Sequence, residues 1–135
     1  MWTYVQKTGE LLRDGLHIAR GYSGYDNPTT GQRGKNNPEL QSVVGVGPIP
    51  VGKYFIGAPY YSKTHGPLVL PLTPDPGNEM FGRSEFLIHG ESREHPGAAS
   101  LGCIILNLDV RQEVDSSGDK LLHVISGLAE DVRLA

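Results

Sequence analysis

FLIHGESREHPGAASLGCIIL, residues 86–106, is the stretch that sets the fold. Phe86–His89 is a short apolar run of strand formers that ends on a histidine and a glycine, His89-Gly90. A polar loop, Glu91 to Ala99, follows. Ser100-Leu101-Gly102-Cys103 then opens into a second apolar run, Ile104 to Leu106. Two strands joined by a loop of about ten residues can return to pair, which places their ends side by side. The expectation is a β fold with His89 closing one strand and Cys103 at the mouth of the next.

Working outward, the flanking sequence keeps to short strands and tight turns. Trp2 to Lys7, Glu10 to Arg13 and Leu16 to Ala19 are rich in strand formers. Thr8-Gly9 and Asp14-Gly15 separate them, and the second dipeptide suits a two-residue type I′ hairpin turn. Gly21 to Pro38 is a long polar loop, which suits either a wall of a site or an ordinary surface loop. Lys53 to Ile56 begins a further strand, and Leu68 to Leu72 is an apolar stretch cut at Pro71. Thr73 to Asn78 is a turn cluster. Only the C-terminal part offers a helix, capped by Asn107 or Asp109 and running through Val114, before a last strand at Leu121 to Ile125. The sum is a mostly β fold with one or two short helices. No internal repeat or linker divides the chain, so residues 1–135 are expected to form a single domain.

Composition narrows the function. The net charge is −3, with no run of Lys or Arg to neutralise a phosphate backbone, so nucleic-acid binding is not expected. No apolar run reaches the roughly 18 residues that would span a bilayer. The N-terminal MWTYVQKTGE has neither the charged start nor the apolar stretch of a signal peptide, so export by that route is not expected. The single cysteine, Cys103, forms no internal disulfide. None of the five histidines pairs at a metal-ligand spacing, so neither a metal nor another cofactor is expected.

A lone cysteine is more often buried and inert than reactive, and a lone histidine more often a satisfied core residue. Here the two occur together. Gly102 lets the backbone turn tightly before Cys103, and the turn opens directly into a strand. His89 lies fourteen residues earlier, at a strand end beside Gly90. His89 could take the thiol proton, or hold a thiolate–imidazolium pair. The backbone amides of Leu101, Gly102 and Cys103 are candidate donors to an oxyanion. Arg83, in a glycine turn upstream, is a candidate for gripping a substrate carboxylate, set against an ordinary surface role. His65 is a candidate supporting and substrate-binding residue, and His95 could line a pocket.

With these residues in hand, the chain resembles the L,D-transpeptidase (YkuD-like) superfamily, whose signature is a His-Gly, a variable loop, and Ser-His-Gly-Cys. GKNNPELQ, GPIPVGKY, LPLTPDPGNEMFGRSEFLIHG and SLGCIIL, in that order, resemble a branch of small L,D-transpeptidase-like effectors of type VI secretion. The resemblance implies a YkuD-like mixed β-sandwich. It implies Cys103 as nucleophile, His89 as base and Ser100 as the serine of the signature. It also implies a substrate, the tetrapeptide stem of peptidoglycan, attacked to give a thioester on Cys103 with loss of the terminal D-Ala. Water would complete an L,D-carboxypeptidase, and a D-amino acid or a second stem an L,D-transpeptidase. Two positions depart from the signature. Its second histidine is Leu101, and the Asn or Arg often found two residues after the cysteine is Ile105. An apolar Leu101 cannot hydrogen-bond a substrate, which favours trimming or exchange of D-Ala over cross-linking. It also keeps a second class open: a wall-binding module or phage structural protein of the same fold without catalysis. A papain-like peptidase does not fit, because its cysteine precedes its histidine. The effector resemblance further implies synthesis in the cytoplasm, delivery to the periplasm of a target cell, and a cognate immunity protein. A monomer is the default expectation.

Overall fold

A computed structural model describes residues 1–127. The first hairpins form where alternation and turn chemistry place them. β1 (Trp2–Val5), β2 (Glu10–Arg13) and β3 (Leu16–Arg20) are antiparallel neighbours. Asp14 and Gly15 both take positive φ, 49° and 84°, the geometry that a type I′ turn demands. Trp2 and Tyr4 point inward and are fully buried, as period-2 alternation requires.

The chain then crosses in a long loop. β4 (Tyr22–Ser23) opens it, and a single 3-10 turn, Pro38–Leu40, interrupts it with Asn37 Oδ1 accepting from the Glu39 amide at 3.1 Å. Next come β5 (Gly52–Ile56), β6 (Tyr60–Ser62), β7 (Gly66–Pro74), β8 (Leu87–His89) and β9 (Ile104–Ile105). Helix α1 (Leu108–Ser116) and β10 (Leu121–Ile125) complete the described chain. Asn107 stands at the helix N-cap position in extended conformation.

The strands link in the order β3-β2-β1-β10-β5-β7-β8-β9-β4, with β6 added beside β7. Two of these pairings are parallel, β1 with β10 and β8 with β9. The two ends of the path, β3 and β4, are separated in sequence by Gly21 alone. Covalent continuity between the two edges therefore forces the sheet to curl into a nearly closed barrel. The expected mostly β fold is met, with one α-helix and one 3-10 turn among the described residues. The expected domain end at residue 135 lies outside those residues.

One hydrophobic cluster fills the curl. Trp2, Tyr4, Tyr54, Ile56, Leu70, Ile88, Ile104, Leu122 and Val124 come from its strands, and Val114 from α1. Pro71 departs from its expected place at a strand end. β7 runs through it to Pro74, between β5 and β8. The Pro71 carbonyl accepts from the Gly57 amide at 2.8 Å, just past the end of β5. Its missing N–H falls on that same side, opposite Gly57, so the β5–β7 ladder stops there while β7 continues beside β8.

Candidate active site

The two apolar runs around the 90–103 loop do pair, but in parallel. Ile88 lies beside Ile104, and His89 beside Ile105. A parallel return requires the chain to travel back the length of the strands before pairing, which the loop accomplishes without a helix. The register has a consequence for the candidate pair. Ile88 and Ile104 both belong to the core cluster, so alternation turns His89 and Cys103 to the opposite side together. They are offset by two positions along the strands, roughly 7 Å of rise, rather than standing end to end. The Leu87 backbone amide acts on the Cys103 sulfur in the sense that favours the thiolate.

His89 is 2% exposed. Its Nδ1 lies 2.9 Å from the Gly90 carbonyl oxygen. A carbonyl only accepts, so Nδ1 carries the proton and the lone pair resides on Nε2. The His65 ring stacks on the His89 ring, with centroids 4.0 Å apart and planes 23° apart. Burial pulls the His89 pKa down from the ordinary imidazole value, and the neighbouring His65 and Arg111 push the same way. Only the Gly90 bond and Glu91 oppose them. Burial pushes the Cys103 thiol up, against the Leu87 amide and the charge of Arg83. Desolvation acts on both members of the pair in the sense that favours the uncharged form. Both directions favour a neutral thiol beside a neutral imidazole. Of the two arrangements open in the sequence, this favours proton transfer to a neutral base over a standing ion pair.

The turn before Cys103 is tied down from within the protein. Ser100 is fully buried. Its Oγ accepts from the Gly24 amide at 2.9 Å and the Gly102 amide at 3.1 Å, and donates to the Cys103 carbonyl at 2.5 Å. Ser23 Oγ donates to the Gly102 carbonyl at 2.8 Å and accepts from the Ile49 amide at 2.9 Å. The start of the long 21–38 loop is thus packed against the turn that carries Cys103. Gly102 has φ 140°, and a Cβ there would lie 2.5 Å from Arg83 Nη2. Its amide is committed to Ser100 Oγ, which leaves the amides of Leu101 and Cys103 from the expected donor set. The Leu101 side chain is exposed.

Arg83 is not placed to grip a carboxylate. It is 7% exposed, and both terminal nitrogens are spent on backbone. Nη1 donates to the Gln41 and Pro48 carbonyls at 2.6 and 2.8 Å, and Nη2 to the Gly47 and Leu101 carbonyls at 2.9 and 3.2 Å. It fastens the 41–48 segment to the Cys103 turn.

Sequence reasoning did not single out Arg111, Ser23 or Tyr22. Arg111 lies on the buried face of α1, three residues before Val114. It is 5% exposed. Tyr22 donates to Glu91 at 2.6 Å and accepts from the Ala99 amide at 3.0 Å, which clamps both ends of the 91–99 loop. That loop, with His65, His89, Gly90 and Arg111, walls an open cavity of about 820 Å³ that also reaches His95. Cys103 is not among the residues that line this cavity. The signal for Tyr22 and Ser23 was the length of the loop they open. Arg111 had none beyond its helical spacing from Val114.

Comparison with curated proteins and with solved structures gives no match. A family model, the Tlde1 domain, matches residues 17–123, from β3 to β10. That span contains the paired strands β8 and β9, the Cys103 turn and every residue of the cavity. The chain belongs to the Tlde1-domain family, a family of type VI secretion toxin effectors.

Proposed function

We propose that this chain is a peptidoglycan-modifying cysteine enzyme that acts on tetrapeptide stems, with Cys103 as nucleophile and His89 as base. The observation that carries the reading is the parallel β8–β9 register, which turns both side chains to one non-core face while Gly90 holds the His89 proton on Nδ1. Nε2 is thereby left as the acceptor. As substrate enters, the thiol proton moves to Nε2 and Sγ attacks the carbonyl before the terminal D-Ala. His89 returns the proton to the departing amine, which leaves a thioester on Cys103. Water resolves the thioester to a tripeptide, giving L,D-carboxypeptidase activity. A D-amino acid resolves it by exchange. The amides of Leu101 and Cys103 are the oxyanion donors in this scheme. Exposed, apolar Leu101 in place of the superfamily's second histidine supports trimming and exchange over cross-linking.

Membership of a type VI effector family fits delivery into a target cell, where the wall is reached from the periplasm, and it calls for a cognate immunity protein. Among the described residues no helix is long and apolar enough to cross a membrane.

The test is incubation with purified tetrapeptide muropeptides, read by mass spectrometry. The expected products lack one D-Ala, or carry an added D-amino acid in its place. Cys103→Ala should abolish them, and His89→Ala should slow them by about 10²–10⁴-fold, the usual worth of a positioned base. Identical products from wild type and Cys103→Ala would end the enzyme reading in favour of a wall-binding module.

A further inference from the structure

Arg111 is a buried cation with no acidic partner among the described residues. Its Nε donates to the Leu106 carbonyl at 3.0 Å, and its Nη1 to the Pro67 and Leu68 carbonyls at 2.6 and 3.0 Å. These bonds hold the guanidinium plane fixed between α1 and the start of β7. None of the ion pairs among the described residues includes it. Nη2 is the one nitrogen not spent on these carbonyls. It points past Gly90, where a Cβ would come within 2.7 Å of it, and Arg111 lines the cavity there beside His65 and His89.

Two acids, Glu94 and Glu91, line the cavity without an ion pair to Arg111, and Glu91 is engaged elsewhere. Its carboxylate accepts from Tyr22 Oη at 2.6 Å and from the Ser92 and Gly97 amides at 2.9 and 3.0 Å. A guanidinium withdrawn from water, held rigid and left without a counter-charge is poised for a carboxylate from outside. Gly90 keeps the approach to Nη2 clear, and the same residue orients His89.

We propose that Arg111 Nη2 is a carboxylate-binding subsite that seats a free carboxylate of a peptide substrate in the cavity beside His89. This deepens the stem-peptide reading and rests on it for the identity of the ligand. Two carboxylates of a stem could fill the role, the terminal one of the leaving D-residue and the side-chain one of the third residue.

The experiment keeps the protein intact and changes the ligand first. Binding of a synthetic tetrapeptide stem to the Cys103→Ala protein is measured by titration calorimetry, beside the same peptide amidated at its C-terminus and a third amidated on the third residue's side chain. Loss of one charge-assisted bond should weaken one amide by about tenfold or more. Which of the two is weakened identifies the carboxylate. The Arg111→Gln protein should bind all three peptides alike, at the level of the weakened amide. Wild-type KM should follow the same order, with kcat changed less. Equal affinity of the acid and both amides for the Arg111-containing protein would overturn the subsite, even if D-Ala is released. Arg111-dependent preference for the acid without any release of D-Ala would leave the subsite standing and overturn the enzyme reading instead.

Discussion

Two buried arginines flank the candidate pair, one on each side, and they are built differently. Arg83 stands on the cysteine side, where it closes the Cys103 turn onto the 41–48 segment through four carbonyls. Arg111 stands on the histidine side, where three carbonyls fix it and Nη2 opens on the cavity. Each also biases its neighbour electrostatically: Arg83 lowers the pKa of Cys103, and Arg111 lowers that of His89. One arginine is wholly structural, with every terminal donor consumed inside the protein. The other is structural on two of its nitrogens and available on the third. The difference between a fastener and a receptor here is a single unspent nitrogen.

Removing the fastener should produce the larger effect on stability. Arg83→Met fills similar volume but leaves four inward-facing carbonyls without donors. Each orphaned acceptor costs on the order of 1 kcal/mol or more, so a loss of about 3–5 kcal/mol is expected. Chemical denaturation checks it. Arg111→Met orphans fewer carbonyls and relieves a cation without a counter-charge, so its loss should be clearly smaller. If Arg111→Met proves the more damaging of the two, the contrast between them is wrong.

The glycines beside each arginine sharpen the comparison at intermediate cost. Gly102→Ala places a methyl 2.5 Å from Arg83 Nη2 and 2.9 Å from the Phe86 ring, at a φ that L-residues rarely adopt. Backbone strain and overpacking together should cost about 2–4 kcal/mol and move Cys103. Gly90→Ala meets only Arg111 at close range, 2.7 Å from Nη2, and carries no positive φ. It should cost about 1–2 kcal/mol while displacing the nitrogen assigned to the substrate carboxylate. The pair should therefore separate, with Gly102→Ala seen mainly in the melting curve and Gly90→Ala mainly in KM. A Gly90→Ala protein with wild-type KM would remove Nη2 from the substrate path.

These two environments mark the boundary of what the sequence makes legible. The hairpins of β1 to β3, the strand ending on His89, the helix after Asn107 and the final strand all follow from local pattern, because alternation and turn residues act over a few positions. The Cys103–His89 association is also local, since only a loop separates the strands. The parallel sense of that pairing is not, for it depends on where β4 and β7 sit on either side. Arg83 reads as a surface residue near a turn because its acceptors at residues 41, 47 and 48 lie 35–42 positions away. Arg111 is hidden in the same way, its acceptors at Pro67 and Leu68 being 44 and 43 positions distant. Pro71 misleads for the converse reason. Local chemistry says a strand should stop there, and only the pairing with β8 on its other side shows why β7 runs on.

The smallest expected effect lies in the pH profile, and it tests the electrostatic half of the comparison. The folded protein resists protonating His89, chiefly through burial, with His65 and Arg111 in support. In the unfolded chain the same imidazole titrates near 6.5. Below that pH the unfolded state takes up a proton that the folded state refuses, so the stability due to this group is present above about 6.5 and declines as the pH falls toward the folded value. Activity should follow the folded value: Nε2 must be unprotonated to accept from the thiol, so the acid limb of kcat/KM should lie below 6.5. Arg111→Gln removes one cation beside the ring, and the limb should move up toward 6.5. The shift should be modest, because burial outranks the arginine among the causes. On the other side of the pair the thiol stands above its ordinary range, so without substrate Cys103 should react with iodoacetamide at pH 7 more slowly than free cysteine. Arg83→Met, in whatever fraction remains folded, should slow it further, since the lost charge favoured the thiolate. An acid limb at or above 6.5 in the wild type, or a downward move in Arg111→Gln, would mean that His89 is not the neutral base. A fast neutral-pH alkylation would mean that the pair rests as thiolate and imidazolium, with Arg83 outweighing burial at the sulfur.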